Sequence, residues 1–342
     1  MAATRGVRLG VGVIGLGRLW EVRHKPAFVR MADRFRVAAV YDQVARRAEI
    51  EAAAFGAHAA SGVLALVERP DVEAVFLLSP QWFGLHALEV AAASGKPIYC
   101  ALPLASEPAT IDRLEACLGS VPSVFMPEFA RRFYPATIRL RELLATTLGP
   151  PRLLVGQVRL SGFDRYGMPG PSTQIAPAPL LLDPGSYLVD WSRWLFGADP
   201  IAMHGGGGLT MPGAGGRDHD VEAICLEFPD GRMAQWNVAR YHRGAWGDAA
   251  KFLPPPGVQV FAERGAAWVE MPDRVVWADA GGAYDERLPL EPSIGEALDA
   301  QFHRAVTGGP EIGPVWQDAV TAARLVLRLI GEGAAHGSGS GG

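Results

Sequence analysis

A chain of 342 residues with 49% hydrophobic and 20% charged side chains has a globular composition and is too long for one ordinary core, so two domains are expected. The net charge of −4, with no block of like charge, excludes a non-specific nucleic-acid binder. No apolar run is long enough to span a membrane, and three scattered cysteines, Cys100, Cys117 and Cys225, read as thiols of a reducing compartment, so a cytoplasmic protein without membrane or nucleic-acid partners is expected.

Arg5 and Arg8 precede "LGVGVIGLG", a run too short and too glycine-rich for a signal core; it reads as a parallel strand over 8–14. A helical pattern follows over 19–31, then the strand "FRVAAVYD" and a helix over 44–55. "VEAVFLLS" is another buried strand and 83–94 another helix; "KPIYCA" and "SVFMPE" are strands separated by a helix near 107–118. This alternation predicts an α/β, doubly wound parallel sheet over 1–127. After Pro150 the rhythm changes. "PRLLVGQVRLSG" is a longer strand with interleaved polar residues, "VEAICLEFPDGRMAQWNVARY" two strands around a Pro-Asp-Gly turn, and "VQVFAERGAAWVEM" two around an Arg-Gly turn. Residues 128–336 are therefore expected to form an α+β domain with a mostly antiparallel sheet. Helices are predicted over 183–196, 295–307 and 315–332, the last two able to pack back on the first domain. "GGGG" at 205–208 and "PGAGGRD" read as loops, and 337–342 as a flexible tail.

The strand-to-helix turn "VGVIGLGRLW" carries Gly15, Leu16, Gly17, Arg18 and Leu19, matching two glycines of a dinucleotide fingerprint with Trp20 at the third position. Gly15 would permit the tight turn and Gly17 the close approach of a pyrophosphate to helix N-terminal amides. Trp20 predicts looser helix–strand packing or a shifted helix. Asp42, at the end of the second strand, stands where a ribose-binding acid should; the other reading makes it a helix cap. An acid there favours NAD over NADP, and Arg46 and Arg47 soften that preference. Ser79, Pro80 and Trp82 end the fourth strand, and Trp82 either stacks on the cofactor or closes the loop. His24 and His86 read as surface or helix-packing residues. His204, His219 and His242 lack ligand spacing, so no metal is expected.

In their order and spacing, "GVIGLGRLWEVRHKPAF", "DVEAVFLLSP", "GKPIYCALPLA", "EFARRFYPA" and "LLDPGSYLVDWSRWLFG" resemble the Gfo/Idh/MocA family over nearly the whole chain. The resemblance implies a Rossmann domain followed by an antiparallel-sheet domain that builds the substrate pocket and commonly mediates oligomers. It implies an NAD(P)-dependent oxidoreductase of a sugar, polyol or related hydroxyl compound, working as a dimer or tetramer. The family's Glu-Lys-Pro is here Ala101, Leu102 and Pro103: the turn proline remains, but the ammonium that would orient the substrate hydroxyl is gone. The family's Asp-x-Gly-x-His is here Asp183, Gly185 and Tyr187, resembling the glucose–fructose oxidoreductase and dihydrodiol dehydrogenase branch, where the phenol is acid or base. Tyr187 is then the proton-transfer residue and Asp183 its orienting partner, with Arg132 and Asp190 as substrate contacts. On residues alone, Asp183-Pro184 also reads as a plain helix start and Tyr187 as a half-buried packing residue. Two other functions stay open. One is a cofactor-binding sensor or regulatory protein without ordinary dehydrogenase activity; the other is an enzyme using NAD with no net redox change, in glycoside cleavage or epimerisation.

Overall fold

Six short strands, almost wholly buried except for the edge strand β3, build the first sheet: β1 (Leu9–Ile14), β2 (Phe35–Tyr41), β3 (His58–Ala59), β4 (Ala74–Leu77), β5 (Ile98–Cys100) and β6 (Phe125–Pro127). The structure is a computed structural model, and it describes residues 8–102, 104, 107–119, 124–161, 181–209, 221–241, 257–309 and 313–337. The chain divides into two compact units, Met1–Phe133 with Glu291–Ala323, and Tyr134–Leu290 with Arg324–Gly342.

In the first unit all strand pairs are parallel, in the order β3-β2-β1-β4-β5-β6. The order reverses beside β1, so a crevice opens beyond its carboxyl end, the usual ligand position of such sheets. Continuous apolar runs suit these strands because helices cover both faces. The helices are α1 (Lys25–Arg30), α2 (Ala45–Phe55), α3 (Val63–Val67), α4 (Pro80–Ala93), α5 (Ile111–Gly119) and α8 (Ile294–Val306). Phe76 centres the core, stacked on Tyr99 at 4.8 Å and edge-on to Phe28 and Phe302 at 5.0 and 5.1 Å. α8 begins in a capping box. Ser293 Oγ accepts from the Glu296 N–H, the Glu296 carboxylate accepts from the Ser293 N–H at 2.9 Å, and Arg30 pairs with that carboxylate at 2.9 Å.

The second unit holds an eight-stranded sheet of β7 (Pro151–Ser161), β8 (Ala202–Leu209), β9 (Val221–Glu227), β10 (Met233–Tyr241), β11 (Gly257–Ala262), β12 (Gly265–Glu270), β13 (Arg274–Asp279) and β14 (Gly282–Arg287). Its order is β14-β13-β12-β11-β7-β10-β9-β8, antiparallel except for β7 against β10. The helices here are α6 (Pro135–Leu143) and α7 (Leu182–Phe196); α9 (Trp316–Gly337) closes the described chain. Alternate residues such as Leu154, Ile224, Leu226, Trp236, Val238 and Val260 are buried. Trp236 donates Nε1–H to Ser192 Oγ of α7 at 3.0 Å and packs edge-on against Trp191.

Local structure departs from the sequence expectations in several places. The glycines at 205–208 lie in β8, not in a loop: among the described residues β8 is an edge strand paired with β9, and its register shifts between Gly205 and Gly208, a bulge that glycines tolerate. The 19–31 helix opens with a π turn, Trp20–His24, before α1. α4 starts three residues earlier than expected and is broken at Gly84. α3, α6 and the β13–β14 hairpin were not anticipated. Among the described residues no helix is long and apolar enough to cross a membrane.

Candidate active site

The turn after β1 is built so that only glycine fits its first position. Gly15 has φ +91, and a Cβ there would stand 2.7 Å from Ser79 Oγ and 2.9 Å from Ser79 Cβ. Its N–H donates to Tyr41 O at 2.9 Å, tying the turn to the end of β2. At Gly17 a Cβ would meet only Ser79 Oγ, at 3.7 Å, among the described residues, so this part of the turn is open. Arg18 and Leu19 begin the helical segment.

Trp20 does not fill that cradle. It is fully buried in the core, its ring centroid 5.7 Å from Phe28 and 5.5 Å from Phe55, and its Nε1–H donates to Glu51 Oε2 at 3.0 Å. The π turn adds a residue to the helical repeat where this large side chain turns inward, which is the shifted helix of the sequence expectation. Lys25 Nζ holds the other oxygen of Glu51 at 2.7 Å, and this contact raises the lysine above its ordinary pKa. The cradle thus has the glycine geometry and the space that a pyrophosphate needs.

Asp42 braces the turn from the side. Its Oδ2 accepts the Leu16 N–H and its Oδ1 the Val44 N–H, both at 2.9 Å, while Arg47 approaches both oxygens at 3.3 and 3.4 Å. The carboxylate thus supports the glycine turn and the segment leading into α2, but it is not the helix cap of the sequence expectation, since that position is Val44. On the other side, Ser79 precedes α4 and Pro80 is its first residue. Trp82 is 60% exposed and donates Nε1–H to Gln43 Oε1 at 2.8 Å.

The end of β5 is apolar. Cys100, Ala101 and Leu102 are all buried, and burial pushes the Cys100 thiol far above its ordinary pKa, so it is inert as a nucleophile. Pro103 lies outside the described residues. In the second unit, Asp183 stands in the first turn of α7, behind the capping residue Leu181 rather than at the cap itself, and its side chain lies outside the described residues. Tyr187, one turn on, is half-buried, and Asp190 is 1% exposed. Arg132, in the first unit, pairs with Asp318 at 3.0 Å and lies over the Phe129 ring.

One cluster escaped the sequence reading. His24 is fully buried, with Nδ1 2.9 Å from Asp299 Oδ1 and Nε2 3.3 Å from Glu128 Oε2, and Arg23 pairs with Glu128. A neutral imidazole can donate to only one of them; two donations require the imidazolium. Burial holds the Asp299 carboxyl above the ordinary range. His24 therefore does pack a helix, as expected, and does so through polar contacts to two buried carboxyls. No local signal could reveal this, because its partners lie 104 and 275 residues away. Among the described residues no group of three His, Cys, Asp or Glu side chains is arranged to hold a metal ion.

Residues 9–129 match the family described as "Oxidoreductase family, NAD-binding Rossmann fold", and residues 139–268 match the "GFO/IDH/MocA C-terminal domain". The chain is 30% identical over 317 residues to inositol 2-dehydrogenase of Mycolicibacterium smegmatis, covering 90% of this chain and 84% of that one. It is 24% identical over 339 residues to inositol 2-dehydrogenase of Rhizobium meliloti, covering 94% and 96%. Its fold is that of a levoglucosan dehydrogenase solved with NADH and levoglucosan, at a TM-score of 0.77, 18% identity and coverage of 96% and 98%. A braced glycine turn at the reversal point of a parallel sheet, an antiparallel second sheet and full-length similarity to these proteins place the chain in the Gfo/Idh/MocA oxidoreductase family.

Proposed function

We propose that the protein is an NAD(P)-dependent oxidoreductase that exchanges hydride with a hydroxyl-bearing carbon of a sugar or polyol. The observation that carries this reading is the Gly15–Gly17 cradle, open at Gly17 and braced by Asp42. The relatives named for inositol and the neighbour holding levoglucosan support a carbohydrate-like substrate.

Gly15, Leu16, Gly17, Arg18 and Leu19 would hold the pyrophosphate on main-chain amides, and Asp42 the adenosine ribose. Ser79, Pro80, Trp82, Leu102 and Pro103 would border the rest of the dinucleotide. Once bound, the nicotinamide supplies the hydride chemistry. Tyr187 takes or returns the hydroxyl proton, Asp183 orients it, and Arg132 and Asp190 shape the substrate side. Leu102 excludes water but offers no charge, so proton handling falls to the phenol. A phenol ordinarily ionises near pH 10, so oxidation of the alcohol should quicken as pH rises. The apolar β5 tip also favours one rival, a family member that binds the dinucleotide without turning substrate over.

The central strands of the second sheet carry Leu153, Val155, Met233 and Phe261 on their outer face, and a second copy of the chain would cover it.

Native mass spectrometry of the purified chain tests the reading first: a retained or titratable dinucleotide and a dimeric or tetrameric mass are expected. Tyr187→Phe should then cut turnover at least about 100-fold while dinucleotide affinity stays within about threefold. Failure of NAD and NADP alike to bind at millimolar concentration would refute the assignment, and undiminished turnover in Tyr187→Phe would refute the role of the phenol.

A further inference from the structure

Strand order dictates where one side-chain contact must lie. β2 and β4 pair with opposite edges of β1, so with neighbouring strands roughly 4.8 Å apart their ends stand about 10 Å apart across the end of β1. Gln43 is the second residue beyond β2, and Trp82 sits in the first turn of α4, beyond β4. Their hydrogen bond, Trp82 Nε1–H to Gln43 Oε1 at 2.8 Å, joins the two flanks beyond the carboxyl end of β1, where the Gly15–Gly17 turn emerges. Beneath it, the Phe83 ring lies 5.7 Å from Tyr41 and would come within 3.2 Å of a Cβ on Gly15.

Three features would let this bridge open. Both side chains are exposed, and a hydrogen bond between neutral groups in solvent exchanges readily with water. The indole is 60% exposed and so contributes little to the core, unlike Trp20 or Trp191. The turn that carries it is set off by Gly84, whose φ of +70 and ψ of −177 break α4. A Cβ at Gly84 would meet nothing within 4 Å among the described residues, so it is the backbone angle and not the space that calls for glycine. A single turn ending in a glycine joint can swing as a unit.

We propose that Gln43 and Trp82 form a clasp over the dinucleotide crevice, opening to admit the cofactor and closing across its pyrophosphate-bearing middle. The two side chains then set how fast the cofactor is taken up and released. This rests on the dinucleotide reading of the same crevice and adds to it a kinetic role and a residue, Gln43, not among the fingerprint positions.

Stopped-flow mixing of the full chain with NADH or NADPH, followed by displacement with excess oxidised dinucleotide and read by nicotinamide fluorescence, tests the clasp without turnover. Trp82→Phe keeps a ring and removes the donor; Gln43→Leu keeps the length and removes the acceptor. Each should raise the uptake and release rates together by about three- to tenfold, with Kd within about threefold in Gln43→Leu, and the double variant should add little to either single one, as expected of one shared contact. Rates within about 1.5-fold of the parent in both variants, or a change in release alone, overturn the clasp and leave the dinucleotide reading standing. If neither reduced dinucleotide binds the parent chain, both fall.

Discussion

The ends of β1 and β5 are two strand ends of one parallel sheet, and they are finished in opposite ways. After β1 the chain turns on a glycine at φ +91, and its next amide is gripped by the Asp42 carboxylate. After β5 it runs into Ala101 and Leu102, both buried and without a polar side-chain atom. The first end has the glycine turn on which the proposed dinucleotide site rests; the second carries Leu102 where the family resemblance implies a lysine. Under the proposed function the two strand ends would serve different tasks, so changing one should leave the other intact.

Breaking the first end should have the largest effect. Gly15→Val sets a side chain against Ser79 at a backbone angle that valine rarely adopts, and dinucleotide affinity should fall at least about 100-fold in calorimetric titration. Retained affinity would mean that the turn is not the cradle. Rewriting the second end should have a smaller effect of the opposite sign. If proton handling limits the reaction, Leu102→Lys should raise turnover of a polyol by about tenfold with dinucleotide affinity nearly unchanged. Turnover that stays flat in this variant while Tyr187→Phe abolishes it would show that the phenol already suffices; activity appearing only with the lysine would favour the non-catalytic rival.

How much could be read in advance depended on sequence distance. Gly15, Gly17 and Asp42 were legible because strand, turn and acid lie within one βαβ unit and follow backbone rules. Trp20 stood out as a departure, but its direction did not, since that depends on Phe28, Phe55 and Glu51 packing around it. The glycines of β8 were misread because a glycine run signals a loop by composition, whereas pairing with β9 decides the outcome. The β13–β14 hairpin did carry a signal, the β-branched and aromatic run Val275-Val276-Trp277 followed by Gly281-Gly282. Gln43 is a neighbour of Asp42, yet its partner Trp82 is 39 residues away, and only the strand order brings the two together.

Two residues of α8, Glu296 and Asp299, carry carboxyls that answer acid in opposite directions. The Arg30 guanidinium, with help from Ser293, lowers Glu296 from an ordinary 4.5 to about 2. Its stabilisation is therefore present above pH 4.5 and drains away as the pH falls toward 2. Asp299, raised by burial, prefers its proton, so acidification relieves it. Mild acid should therefore weaken the Arg30–Glu296 contact at the start of this helix before it disturbs Asp299. Glu296→Gln should then flatten the slope of thermal midpoint against pH between about 5 and 3, and an unaltered slope would move the weak point elsewhere.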